Sequence, residues 1–217
     1  MIFVGGKAIK SIAVGAVQIQ EVSRGDVVVW RSFHEPEPHN FSTPGESTIT
    51  PPKWATKVQY VLIGAGGGGC GGDGSVQRTG DGGGAGKVRT GFHQLKNWNT
   101  IKFTVGAGGR GGTGSPRGGS PGGASLLILP GASRLDNKTI FAPGGASVEG
   151  YTGALGGARQ AISVDGFDLP RGSNAPPNTA GATPGDGGGG GTGGIFGSYR
   201  EGQPGADGRV WLRFLRS

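Results

Sequence analysis

Glycine is the feature that most constrains this chain, since it supplies 51 of 217 residues, about three times its usual share of roughly 7%. It is densest in residues 64–86, 106–123 and 181–197, which hold 13, 10 and 10 glycines. Ordering thirteen glycines would cost on the order of 7–13 kcal/mol, comparable to a domain's whole stability. Two arrangements fit this cost: mobile loops, or polyglycine II-like segments bundled side by side.

The remaining composition allows only a thin apolar core. Leu, Ile, Val and Phe total 45 residues, close to the roughly 20% level below which chains tend to be disordered. The net charge is +7, and residues 1–50 carry −1, so the other 167 residues carry +8. A basic region of this kind is typical of a protein that binds an anionic polymer or a cell envelope. It is equally typical of a solvated basic surface with no such partner.

Three regions follow one another along the chain. In residues 1–31, Gly5, Gly15 and Gly25 recur every ten residues between β-prone runs, which predicts a three- or four-stranded antiparallel meander that serves in assembly or docking. Residues 32–47 are rich in proline and glutamate, which predicts an extended linker. Residues 48–217 are predicted to form a glycine-rich β domain.

Short β-prone segments alternate with the glycine tracts in this third region. The predicted strands are Thr48–Thr50, Lys57–Ile63, Lys87–Phe92, Thr100–Val105, Ala124–Leu129, Thr139–Ala142, Gln160–Val164 and Arg209–Leu215. In the last of them Val210, Leu212 and Phe214 alternate with polar neighbours and Trp211, as in half-buried antiparallel strands. The predicted fold class is mainly β: the meander, then a β-sandwich-like domain whose tracts include polyglycine II if they are ordered.

The stretch after Lys57–Ile63 contains Gly64-x-Gly66-x-x-Gly69, the spacing of a dinucleotide-binding loop. That loop needs a helix to follow it, with its N-terminus facing the phosphates. Residues 70–86 hold eight glycines and no periodic apolar face. We therefore expect no nucleotide and no other cofactor.

Other chemical motifs are equally weak. Cys70 is the single cysteine, which excludes an internal disulfide framework and a multi-cysteine zinc site. His34 and His39 lack a visible third metal ligand, and Asp165 and Asp168 are typical of a turn with solvated carboxylates. No segment resembles a nucleophile elbow. We predict that the chain is not an enzyme and has no catalytic or metal residues.

Three exposed positions are the candidate surface-binding residues: Trp98, Arg110 and Arg117. Trp98 lies between polar neighbours and could stack on sugar rings. Arg110 and Arg117 each precede two glycines, as in arginine–glycine boxes of RNA-binding segments. Only two such boxes occur and predicted strands flank them, so we expect no nucleic-acid partner. The N-terminus lacks a signal peptide and no apolar run approaches the roughly 20 residues of a membrane span, which predicts a soluble protein made in a cytoplasm.

Three segments, in this order along the chain, resemble the glycine-rich minor tail proteins of phages that infect actinobacteria such as Mycobacterium and Gordonia. They are VGGKAIKSIAVGAVQIQEVSRGDVVVW, TPPKWATKVQYVLIGAGGGG and GADGRVWLRFL. The resemblance implies a virion component of the tail tip, assembled in the host cytoplasm, that contributes to virion assembly and to host attachment. It implies other tail proteins as partners, a host envelope glycan as a ligand, and a homo-oligomer with a trimer favoured. The alternative is a freestanding polysaccharide- or ice-binding module built on polyglycine II bundles.

Overall fold

The computed structural model describes residues 35–96, 99–113, 118–131 and 136–216, together with six short strands within the first 31 residues. These six strands form three two-stranded antiparallel ladders rather than one continuous meander. The ladders join β1 (Phe3–Val4) to β2 (Lys7–Ala8), β3 (Ile12–Val14) to β4 (Val17–Ile19), and β5 (Glu21–Arg24) to β6 (Val27–Arg31). Each ladder flanks one glycine of the ten-residue repeat, so the repeat unit is a hairpin.

Ten further strands make up the rest of the β structure. They are β7 (Glu37–Phe41), β8 (Gly45–Ile49), β9 (Lys57–Ile63), β10 (Val88–Gln94), β11 (Ile101–Val105), β12 (Ser125–Leu129), β13 (Lys138–Ala142), β14 (Ile162–Val164), β15 (Phe167–Leu169) and β16 (Arg209–Leu215). The described residues contain no α-helix, and none of them forms a helix long and apolar enough to cross a bilayer. The predicted mainly β fold class is confirmed, and β9 and β16 have the predicted bounds.

Two antiparallel four-stranded sheets pack face to face. The first has the order β10-β9-β16-β7 and the second the order β13-β12-β11-β8. Alternate residues of the central strands point between the sheets, and Leu62, Phe103, Leu127 and Leu212 are at most 3% exposed there. This is the arrangement of a β-sandwich, in which the inner faces of two sheets form the core.

The outer face of the first sheet is covered by the β14–β15 hairpin. Trp211 is buried on that face and its ring lies 5.1 Å from the ring of Phe167. The turn of the hairpin is held by an ion pair of 2.9 Å between the Asp165 carboxylate and Arg213. The central strands β9 and β16 are therefore buried on both faces, whereas the period-two pattern predicted one buried face for β16.

The predicted linker contains regular structure. β7 pairs with β16 at the edge of the first sheet, and after a short turn β8 pairs with β11 at the edge of the second. Pro38 is tolerated in β7 because an edge strand has one side without a ladder partner. The region predicted as an extended linker therefore contributes two edge strands, and composition does not reveal the partner strands that pair with them.

The described residues of the glycine tracts are ordered and extend from one end of the sandwich as a bundle. Residues 64–72 are here called the central tract. Residues 64–70 and 72 donate their amides in rotation to three other tracts, at 2.7–3.0 Å. Every third amide goes to the same neighbour, and the number of the accepting residue falls by three each time. The donor–acceptor pairs are Gly64–Lys87, Gly67–Gly84 and Cys70–Asp81; Ala65–Gly123 and Gly68–Ser120; Gly66–Ala206, Gly69–Gln203 and Gly72–Arg200.

The carbonyls of the central tract accept from three further segments. The amide of Gly145 donates to Ala65. In the second segment Gly109 donates to Gly66 and Gly112 to Gly69, and in the third Gly188 donates to Gly67 and Gly191 to Cys70. A repeat of three residues per turn, with hydrogen bonds only between chains, is the geometry of polyglycine II. The central tract is thus surrounded by six neighbours, all nine of its residues are buried, and at about 3.1 Å per residue it is about 28 Å long.

Close approach of backbones explains why these positions are glycine. A Cβ on Gly66 would lie 1.8 Å from the carbonyl oxygen of Asp186, and one on Gly83 would lie 2.2 Å from that of Gly67. The amides of Gly64, Gly66 and Gly69 are already bonded to carbonyls of other tracts. The dinucleotide-like spacing therefore reflects the three-residue turn of the bundle.

Amide hydrogen exchange should reveal this bundle directly. We expect residues 64–70 and 80–84 to exchange as slowly as the buried strand β9, because their amides are bonded and their backbone is largely buried. The exposed loop at residues 75–78 should exchange much faster. Exchange of the central tract at the rate of the loop would contradict the ordered bundle.

Candidate functional site

The end of the bundle farthest from the sandwich is formed by two loops. The first, residues 73–79, joins the central tract to residues 80–86, which run back to β10. The second, residues 193–199, joins residues 185–192 to residues 200–208, which run back to β16. The loops contact each other, since Gly197 donates its amide to Gly74 at 2.9 Å and Gln77 donates to Gly194 at 3.2 Å.

Four large apolar side chains are exposed on these two loops: Val76 (55%), Ile195 (48%), Phe196 (97%) and Tyr199 (39%). We call them the tip patch. Exposed large apolar side chains that cluster on a protein surface often mark binding sites, whereas isolated ones do not. The tip patch is therefore the strongest candidate for a binding surface among the described residues.

The backbone of both tip loops includes residues in the left-handed region. Phe196 and Gln77 each have φ of 55°, a conformation that costs a non-glycine residue of order 1–3 kcal/mol. Such backbone conformations persist only where the surroundings impose them, and they are concentrated at functional positions. At residue 196 this conformation keeps an aromatic ring almost wholly in solvent.

Two carboxylates hold the loops near this end in place. Asp73 accepts hydrogen bonds of 2.7 Å from both the amide and the hydroxyl of Ser75, and these bonds lower the pKa of Asp73. Asp81 accepts from the amide and hydroxyl of Thr152 and from the amide of Ala154, at 2.7–3.0 Å. Burial raises the pKa of Asp81, but these hydrogen bonds outweigh burial and the pKa lies below its usual value.

A second polar network lies where the bundle meets the sandwich. Asp186 is fully buried and its carboxylate accepts four hydrogen bonds: from the amides of Arg159, Ser173 and Thr183, at 2.9–3.2 Å, and from the Thr183 hydroxyl at 2.7 Å. Arg159 is also fully buried, and its guanidinium donates to the carbonyls of Pro184, Gln160 and Pro170. Both charges are therefore satisfied within the protein, as buried charges must be.

Of the three predicted surface-binding residues, only Arg110 lies among the described residues, and it is not in either tip loop. Arg110 has an exposed side chain, but its backbone is bonded to Ser120 on the flank of the bundle. Trp98 and Arg117 lie outside the described residues.

The comparisons with known proteins agree with the composition and the fold. The sequence model of the family described as a glycine-rich domain matches residues 42–168, which is more than half of the chain. The chain belongs to this glycine-rich domain family. No curated protein matches the chain significantly.

The glycine-rich domain as matched begins just before β8 and ends within β15. It contains the first tip loop, residues 73–79, but not the second, residues 193–199. The sequence contains one sign of the tip patch that no binding motif describes. Ile195-Phe196 is an apolar pair between glycines, outside any predicted strand.

Proposed function

We propose that the protein is a structural component of a phage tail tip, a minor tail protein that contributes to virion assembly and to attachment to the host cell surface. The observation that carries the attachment role is the tip patch, with Phe196 almost fully exposed at the end of a rigid bundle. A rigid support reduces the entropy lost on binding, because the loops it carries are already ordered. The resemblance to actinobacteriophage tail proteins supplies the biological setting.

The two ends of the chain have separate roles in this proposal. The N-terminal hairpins dock to another tail protein, and the bundle presents the tip patch to the host surface. Copies associate as a homo-oligomer, with a trimer favoured, since a small subunit with a thin core gains stability by sharing it. Light scattering on the purified chain measures the assembled mass, and a monomer at high concentration would contradict the oligomer.

Replacing the two most apolar residues of the second tip loop should weaken attachment. For I195S/F196S we expect binding of the labelled protein to whole Mycobacterium or Gordonia cells to fall by about tenfold or more, as when an aromatic anchor is removed from an interface. The matched control is Leu155→Ser, which removes an apolar side chain that is 50% exposed but lies outside the two tip loops. Equal loss in both variants, or no change in the double variant, would contradict the proposed attachment surface.

The alternative function is a freestanding polysaccharide- or ice-binding module, and the polyglycine II bundle itself favours it. Ice binding requires a flat, weakly charged face, whereas Arg78, Arg110 and Arg200 are exposed along the bundle. Thermal hysteresis in a solution of the purified protein would support the ice-binding alternative over the tail-tip function.

A further inference from the structure

A basic pocket of about 220 Å³ lies where the bundle joins the first sheet. One wall is formed by residues 85–89, the end of a glycine tract and the start of β10, and the other by residues 158–160. Ligand pockets for drug-sized molecules occupy about 300–1,000 Å³. A pocket of this smaller size suits one functional group of a ligand rather than a whole large molecule.

Positive charge dominates the pocket. Lys87 and Arg89 are exposed at its mouth, and Arg159 is buried in its wall. No acidic residue is among those of the described chain that line it. Arg159 acts through its field rather than by contact, since its guanidinium already donates to three backbone carbonyls.

The charges behind the wall do not cancel this excess. Burial lowers the pKa of Arg159, the nearby Asp186 carboxylate opposes that shift, and the positive charge of Arg209 adds to it. The Nε atom of Arg209 is buried and has no hydrogen-bond partner among the described residues. Arg159 and Arg209 thus place two further positive charges behind the wall, opposed by the carboxylate of Asp186.

The backbone adds a donor to the pocket. Gly64 donates its amide to Lys87, and Leu95 donates to Thr56, so the odd-numbered residues of β10 occupy the hydrogen-bonded pairs with β9. Val88 occupies the alternate position, and its amide therefore points to the open edge of the sheet. β10 is an edge strand, which leaves this N–H directed away from the β9 ladder, beside the side chains of Lys87 and Arg89.

We propose that this pocket binds a single phosphate group, either as free phosphate or as a phosphodiester of an anionic polymer. Lys87 and Arg89 contact its oxygens, the Val88 amide donates to it, and Arg159 stabilises its charge from within the wall. Guanidinium groups match phosphate oxygens with paired hydrogen bonds. This site is separate from the tip patch and does not rest on the attachment role.

Titration calorimetry and amide NMR with three probes test the proposal: inorganic phosphate, a poly(glycerol phosphate) and acetate. We expect saturable phosphate binding that shifts the amides of Gly86 and Val88. In K87Q/R89Q the affinity should fall by about tenfold or more, because two charge-assisted hydrogen bonds are lost. The matched control, K102Q/K138Q, also removes two positive charges, but from the second sheet, and it should change the affinity less than about twofold.

The outcomes separate the two sources of phosphate from a general charge effect. Binding of inorganic phosphate alone supports a free-ion site, and tighter binding of the polymer supports a phosphodiester ligand. Equal weakening in both double variants, acetate binding as tight as phosphate, or no saturable signal would each overturn the proposal. Urea denaturation of each variant shows that the fold is retained, and if K87Q/R89Q unfolds, the single variant R89Q replaces it.

Discussion

Replacement of Gly66 by alanine is expected to destabilise the protein by about 3 kcal/mol or more, at the upper end of the cost of overpacking a core. The added Cβ would lie 1.8 Å from the carbonyl oxygen and 2.4 Å from the carbonyl carbon of Asp186. Both are backbone atoms, so no rotamer change relieves the contact. The two backbones must separate, which also breaks hydrogen bonds between the central tract and its neighbours. The free energy of unfolding in urea measures this loss.

Gly84→Ala is the matched control for this change. Gly84 lies in a neighbouring tract, but a Cβ there would come no closer than 3.1 Å to the nearest atom, the amide nitrogen of Ala146. A shift of a few tenths of an ångström accommodates it, and we expect a loss of under about 1 kcal/mol. Similar unfolding free energies for the two variants would show that backbone contact does not determine where glycine is required.

Replacement of Asp186 by alanine is expected to have the second large effect. The carboxylate accepts four hydrogen bonds in a fully buried site, and its removal leaves three amides and a hydroxyl without an acceptor. It also removes the negative charge nearest to the buried Arg159. Breaking a buried charge arrangement on one side costs about 3–5 kcal/mol, which urea unfolding at neutral pH should detect.

Two further variants show how much the charge and the hydrogen bonds of Asp186 each contribute to stability. Asp186→Asn keeps one acceptor oxygen and loses the charge, so its loss of stability should be intermediate. Asp73→Ala removes a carboxylate that also accepts from a neighbouring amide and hydroxyl, but in an exposed loop, and its effect should be much smaller than that of Asp186→Ala. If Asp186→Ala proved as mild as Asp73→Ala, the network around Asp186 would not hold the bundle to the sandwich.

Local pattern was enough to predict the strands whose side chains alternate. Ile101, Phe103 and Val105 are buried as the period of two indicated, and Lys102 between them is exposed. Pattern was not enough for Trp211, which lies on the predicted solvent face and is buried by the β14–β15 hairpin. It also failed for β7, because a strand that contains proline and glutamate is stabilised by its partner β16 rather than by its own propensity.

The sequence shows the apolar pair Ile195-Phe196, but it could not predict the tip patch as a whole, for a related reason. Val76 and Phe196 are 120 positions apart in the chain, and only the paired course of the tracts brings their two loops together. Sequence motifs indicate candidate residues one at a time, as for Trp98, Arg110 and Arg117. They do not predict which of these residues lie close together in the fold. A binding surface made by loops needs the arrangement of their supports, which no local motif encodes.

The amino-acid sequence by itself determined that this chain is mainly β and that its glycine must either stay mobile or pair with other glycine, because no other element accommodates so many residues without side chains. Tertiary structure alone decided between those two outcomes. Each tract of the bundle lacks hydrogen bonds of its own and becomes stable only when other tracts accept and donate at every turn. Those partners lie far away in the chain, as for Gly66 and Ala206, which are 140 positions apart, so the order of the glycine is a property of the whole fold.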